Sequence, residues 1–231
     1  MRVCAAPPFA NGQALSRDTR WRPHDLLRLR RLQQFDGEPA WVREAFARAP
    51  YAVVRRALAA EGVIAIGVRG VGRSQRYGTW ASADDIEHVI SPEALAHRSP
   101  AGERAAMPAF AALAALRSEA DGPLRGFVWG PTGSAGFELA AQVPTVSESS
   151  DLDLLIRTPS KLAHEDAVRL LGHLQALAQR AGIRVDAQLE TPAGGVALAE
   201  WAAGKAHVMA RDARGPQLVA DPWAAVRGDD V

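Results

Sequence analysis

Residues 127–157 read FVWGPTGSAGFELAAQVPTVSESSDLDLLIR, and the rest of the chain is best read outward from them. Leu124–Trp129 is expected as a strand, Gly130–Gly136 as a glycine-rich turn, and Phe137–Ala141 as a short helix. A turn of this kind presents successive backbone N–H groups at a helix start, a geometry that binds phosphate without a positive side chain. Thr132 and Gly133 lie in the turn, and Ser134 adds a hydroxyl donor. No Lys follows the glycine, so this is not a Walker A loop. Leu152–Ile156 is the next expected strand, with Asp151 and Asp153 at its entrance and Arg157 at its end. Residues i and i+2 of a strand share a face about 6.6 Å apart. At an effective dielectric near 20, two carboxylates so placed repel by roughly 2.5 kcal/mol. A divalent cation reverses that sign, and oxygen-only ligands select Mg²⁺ or Mn²⁺ over zinc.

Further along, residues 162–181 give an amphipathic helix with Leu162, Val168, Leu171, Leu174 and Leu177 on its apolar face and Gly182 as its cap. Ile183–Leu189 is a strand whose polar face carries Arg184, Asp186 and Gln188. If it pairs beside 152–156, Asp186 reaches the same site; Glu190 is a weaker candidate. Residues 194–203 read as helical, 205–211 as extended and 217–220 as a short strand. Upstream, 22–33 and 39–48 are expected as helices, and 51–56, 62–68 and 74–80 as strands. Residues 92–97 are expected to be helical. A Pro-, Gly- and Ser-containing break at 98–103 precedes a helix over 105–119. The expected organisation is an irregular arm over 1–20, an N-terminal domain over 21–100 and a catalytic domain over 101–231.

The composition is that of a globular protein, with 231 residues, 48% hydrophobic and 23% charged. No run of 18 apolar residues suggests a membrane span, and no h-region suggests a signal peptide. Cys4 is the single cysteine, which excludes an internal disulfide and a cysteine-based zinc cluster and favours a cytoplasmic protein. The net charge of +1 gives no support for nucleic-acid binding. Charge is nevertheless uneven: residues 1–100 hold 15 Arg against 10 acids, and 101–231 hold 12 bases against 16 acids. The planar fork of arginine suits phosphate, so Arg69, Arg73 and Arg76 are candidates to meet a phosphorylated ligand or an acidic partner. Gly67, Gly70 and Gly72 lack the dinucleotide-loop spacing, and the six histidines form no metal motif.

The order strand, Gly-Ser turn, helix, DxD strand, long helix, Asp strand resembles the nucleotidyltransferase superfamily core. That resemblance implies an α+β fold: a nucleotidyltransferase-like mixed sheet with flanking helices in the C-terminal half, plus a smaller α/β N-terminal domain. It also implies a Gly-Ser loop on a triphosphate and strand-borne carboxylates on metal ions. Sixteen residues separate Ser134 from Asp151, more than a minimal member needs, so 142–150 must loop out.

A narrower resemblance rests on RWRPHDLLRL (20–29), PAWVREAFARAPYAVVRR (39–56), IAIGVRG (64–70), FVWGPTGSAGFELA (127–140), SDLDLLIR (150–157), VDAQLETPAGGVALAEWA (185–202) and LVADPW (218–223). These segments are similar to the malonate decarboxylase holo-acyl-carrier-protein synthases, also called phosphoribosyl-dephospho-CoA transferases. The resemblance implies transfer of a prosthetic group from 2′-(5″-triphosphoribosyl)-3′-dephospho-CoA to a serine of the acyl carrier subunit of malonate decarboxylase, with loss of pyrophosphate. It makes Asp151, Asp153 and Asp186 the catalytic and Mg²⁺-binding residues, with Mn²⁺ as substitute. Gly133 and Ser134 become the phosphate-binding residues, with Thr132 and Arg157 as weaker substrate contacts. Asp186 is the expected nucleophile-side ligand or base. Two other readings stand beside this one. The acceptor would be another protein or small molecule, a citrate-lyase-type carrier included, or the chain would be a non-catalytic triphosphate-binding module.

Overall fold

The computed structural model describes residues 3–9, 13–15, 20–72, 74–119 and 121–224; Arg73 lies outside them. Two six-stranded sheets carry the architecture, and the fold is α+β. The first sheet is built from Val3–Cys4 (β1), Leu26–Leu29 (β2), Tyr51–Val54 (β3), Val63–Arg69 (β4), Arg76–Ser82 (β5) and Ile86–Ile90 (β6), with helix Trp41–Arg48 (α1) between β2 and β3. Its strand order is β1-β5-β4-β3-β2-β6. All its pairs are antiparallel except β1 on β5, so part of the expected arm contributes an edge strand.

Helices Pro92–Leu95 (α2) and Pro108–Ser118 (α3) lead into the second sheet. That sheet contains Val128–Pro131 (β7), Leu152–Arg157 (β8), Val185–Thr191 (β9), Gly194–Ala197 (β10), Val208–Arg211 (β11) and Pro216–Val219 (β12). Helix Gly133–Ala141 (α4) joins β7 to β8, His164–Ala181 (α5) joins β8 to β9, and Leu198–Ala202 (α6) follows β10. The order is β12-β11-β10-β9-β8-β7. Only β8 and β9 run parallel, and α5 supplies the long crossover that a parallel pair requires. Gly182, with φ +67°, closes α5 as expected.

Several expectations are corrected. Residues 22–33 hold a strand, not a helix. The three-residue leucine spacing misleads because β2 is covered on both faces. Leu26 packs into the core of the second sheet, while Leu27 and Leu29 pack into that of the first. A doubly buried strand shows no alternation to read. The strand expected at 124–129 lies at Val128–Pro131, and Gly130 and Pro131 pair with Leu155 and Leu154. The turn therefore shrinks to Thr132, and α4 begins at Gly133. Pro131 is tolerated because β7 is an edge strand. Residues 194–203 divide into β10 and α6. On α5 the buried stripe is Ala167, Leu170, Leu174 and Leu177, and Val168 is exposed.

The two halves pack directly on one another. Any Cβ at Gly130 of β7 would collide with the backbone of Pro92 and Glu93, so α2 lies hard against the second sheet. Arg56 forks onto Glu190 of β9, with Nη1 at 2.7 Å from Oε1. His24, held at φ +72°, accepts at Nε2 from Gln188 at 3.0 Å and from Arg56 at 3.4 Å. No described helix is long and apolar enough to cross a membrane.

Candidate active site

β8 and β9 bring Asp153 and Asp186 together as register partners. Neighbouring strands lie about 4.8 Å apart, so the two carboxylates share one edge of the ladder. Asp151 stands one residue before β8 and adds to the same field. Asp153 is half-buried, and its carboxyl is pushed up to about 6, first by burial and then by Asp186 and Asp151. Asp186 is exposed and is bound by Arg184, whose Nη2 donates to Oδ2 at 2.7 Å and to Oδ1 at 3.1 Å.

The start of α4 meets this carboxylate pair. Thr132 N donates to the Asp153 carbonyl at 2.8 Å. Gly133 has φ +58°, and the space its Cβ would fill is taken by the Asp153 carboxylate. This is the position where the turn needs glycine twice over, for its backbone angle and for the close approach. No side chain caps α4, so its first N–H groups are open to an anionic partner.

Two further residues complete the arrangement: Arg69, one of the arginines expected to meet a phosphorylated ligand or an acidic partner, and Glu138, which the sequence did not single out. Arg69 reaches across from β4. Its Nη1 donates to the Gly133 carbonyl at 3.1 Å and its Nη2 to Ser134 Oγ at 3.2 Å, while the guanidinium lies over the Phe137 ring at 5.2 Å. Burial and the nearby Arg76 push Arg69 down to about 10. Glu138 of α4, only 3% exposed, folds the long 142–150 segment back. Its carboxylate accepts from Thr145 N and Val146 N, both at 2.7 Å, and from Arg104 Nε at 2.7 Å. Arg104 Nη2 also donates to the Val146 carbonyl at 2.6 Å. Burial would raise the Glu138 carboxyl, but Arg104 and the two backbone donors outweigh it and hold it below its ordinary value. The insertion between Ser134 and Asp151 is thereby tied down rather than left loose. A glutamate on a helix of small and apolar residues was the available signal.

Arg157 is not brought to this group. It lies four residues beyond Asp153, about 13 Å along the strand, and is ion-paired with Glu93 and with Asp25 at 3.9 Å. Among the described residues, no three His, Cys, Asp or Glu side chains converge to enclose a metal ion. The geometry thus gives an open set of carboxylate oxygens beside a free helix start. It is equipped to hold a phosphate chain on N–H groups and a hard cation jointly with that chain.

These features would suit a phosphate-handling class of site, and comparison with known proteins gives the family. The profile of the phosphoribosyl-dephospho-CoA transferase MdcG N-terminal domain matches residues 22–92, and that of the MdcG C-terminal domain matches 94–222. A phosphoribosyl-dephospho-CoA transferase of Pseudomonas fluorescens is 44% identical over 204 residues, 88% of this chain and 94% of the relative. One from Pseudomonas aeruginosa is 45% identical over 204 residues, covering 87% and 93%. One from Azotobacter vinelandii is 44% identical over 209 residues, covering 89% and 95%. No solved structure matches. The chain belongs to the phosphoribosyl-dephospho-CoA transferase family.

Proposed function

We propose that this protein transfers the phosphoribosyl-dephospho-CoA group from 2′-(5″-triphosphoribosyl)-3′-dephospho-CoA to a serine of the apo acyl carrier subunit of malonate decarboxylase. The carrier serine oxygen bonds to the α-phosphorus, the bridge to the β-phosphate breaks, and pyrophosphate leaves. The observation that carries this reading is the Asp153 carboxylate set against Gly133 at the start of α4, with Asp186 beside it in register.

Each residue then has a physical task. The N–H groups opening α4, with the Ser134 hydroxyl, hold the β- and γ-phosphates. Arg69 fixes Ser134 and adds positive charge. Asp186, exposed at the strand edge, takes the serine proton or orients the hydroxyl.

The donor set suits Mg²⁺ or Mn²⁺: oxygen only, negative and open on one side. Magnesium is commonly held by one or two carboxylates together with substrate phosphates rather than by an all-protein cage. Asp151, Asp153 and Asp186 would hold it, and it would neutralise charge developing on the phosphates. The proposed compartment is the cytoplasm, where carrier and donor would meet.

Intact-mass spectrometry of the apo carrier subunit, incubated with this protein, Mg²⁺ and the donor, tests the reading. A mass gain equal to the phosphoribosyl-dephospho-CoA group, absent with Asp151→Asn, is expected. No gain beside an active control synthase would overturn the acceptor assignment. Pyrophosphate release over a panel of carriers, citrate-lyase-type included, would then locate the true one.

A further inference from the structure

A cavity of about 270 Å³ opens between the first sheet and the start of α4. Ligand pockets commonly measure about 300–1,000 Å³, so it has room for one nucleoside-sized group and not for the whole donor. Val53, Val68 and Phe137 give it apolar walls, and Arg55, Arg69 and Arg76 line it with positive charge. No Asp or Glu is among the residues lining it.

Arg55 is the informative member. Among the described residues no carboxylate and no hydrogen-bond acceptor meets its half-buried guanidinium. Its seat is built by two glycines paired across β4 and β5, Gly67 and Gly78. A Cβ at Gly78 would occupy the place of the guanidinium, and a Cβ at Gly67 would stand 3.5 Å from Arg55 Cδ. Arg69 beside it donates through both Nη groups to Gly133 and Ser134 but keeps a buried Nε that has no partner. A partly desolvated cation without a counter-charge, as at Arg55, is costly, and a bound anion relieves that cost.

Position identifies which part of the donor fits. Thr132 and Gly133 line the cavity, whereas Asp151, Asp153 and Asp186 do not. The carboxylate of Asp153 lies against Gly133, so the cavity and the carboxylate edge adjoin that one residue. A ligand with its reacting phosphates at the carboxylates would place its next group in the cavity. On the reading under Proposed function, the linking ribose follows the phosphates and leads directly into the dephospho-CoA portion, which offers a flat apolar base and phosphates together.

We propose that the N-terminal half supplies the nucleoside subsite: the cavity holds the adenosine of the dephospho-CoA portion, and Arg55 with Arg69 binds its phosphates. Arg55 would therefore determine donor specificity without taking part in bond-making.

Titration calorimetry of the full chain with dephospho-CoA, which lacks the triphosphate and cannot react, tests this directly. Wild type is expected to bind it, and Arg55→Gln to bind it at least tenfold more weakly. Arg55→Lys, which keeps the charge and loses the fork, should fall between them. Gly78→Ala, which displaces the guanidinium while leaving Arg55 in place, should also weaken binding, and circular dichroism checks its fold. Inorganic tripolyphosphate should bind wild type and Arg55→Gln alike, and in the transfer assay Arg55→Gln should raise the donor KM while leaving kcat near wild type.

Equal binding of dephospho-CoA to wild type and Arg55→Gln, or no binding to wild type, would overturn the proposal. An equal loss of tripolyphosphate binding would also do so, because the cavity would then hold the phosphate chain. Arg55-dependent binding of dephospho-CoA without any transfer would leave this subsite standing and sink only the reaction proposed above.

Discussion

Asp153 and Asp186 are register partners on parallel strands, and each stands in the other's field at a strand edge next to an uncapped helix. Two carboxylates brought together in this way weaken the fold unless something positive joins them.

The first prediction follows from that repulsion. The Asp153 carboxyl rises to about 6 in the folded chain from an ordinary 3.8. The folded state holds this proton more tightly, so stability is lost as pH rises from about 4 to about 6 and stays lost at pH 7. Asp153→Asn should raise unfolding free energy by about 1–3 kcal/mol at pH 7 in metal-free buffer. The same change should cut transfer by two orders of magnitude or more. Urea titration and the mass assay check the two halves; a variant as active as wild type would remove Asp153 from the chemistry.

Gly133 is the second. Gly133→Ala places a Cβ in left-handed backbone, at a cost of about 1–2 kcal/mol, and drives it into the Asp153 carboxylate. Transfer should collapse although the chain remains folded. Ser134→Ala removes one hydroxyl and should raise the donor KM severalfold with little change in kcat. Steady-state kinetics separates these outcomes.

Glu138 is the third. Glu138→Ala strips the partners from Thr145 N, Val146 N and Arg104 at once. Removing one member of such a buried charged network costs about 3–5 kcal/mol. Glu138→Gln, which keeps an acceptor, should cost less. Denaturant midpoints give the order, and faster amide exchange over 142–150 in the alanine variant would show that the loop had been released.

The fourth concerns pH. Burial first, and then Arg56, lowers His24 to about 4, against the opposing pull of Glu190; Arg157 adds to the lowering. The unfolded chain takes up this proton near 6.5 and the folded chain only near 4. Stability should therefore fall as pH drops through that window, by about 3 kcal/mol in all. His24→Gln should flatten the profile between pH 6.5 and 4. An unchanged slope would show that another group titrates there.

Much of the site was legible because its signals are local. Asp151 and Asp153 sit two residues apart on a strand, and the glycine-serine turn precedes them in order. The turn's outline was less legible: Gly130 and Pro131 look like loop residues, yet edge pairing with Leu155 and Leu154 makes them strand. Arg157 looked close in sequence, but pairing with Glu93 and Asp25 turns it to structural use. Arg69 was a candidate by its charge, but its contact with Gly133 and Ser134 was not readable, and Glu138 was invisible as a site residue, since each acts on a segment that its own neighbours in sequence do not reveal.

The sequence by itself determined the strand and helix order from β7 to β9, the cap at Gly182, the carboxylate pair and the family. Those follow from periodicity, backbone preference and short spacings, which operate over a few residues. Tertiary structure decided that Leu26–Leu29 is a strand between two cores, that Asp186 stands opposite Asp153, and that Arg55 and Arg69 of one sheet face the turn of the other. These depend on which distant surfaces meet, and burial on both faces or pairing across sheets leaves no periodic trace in the chain.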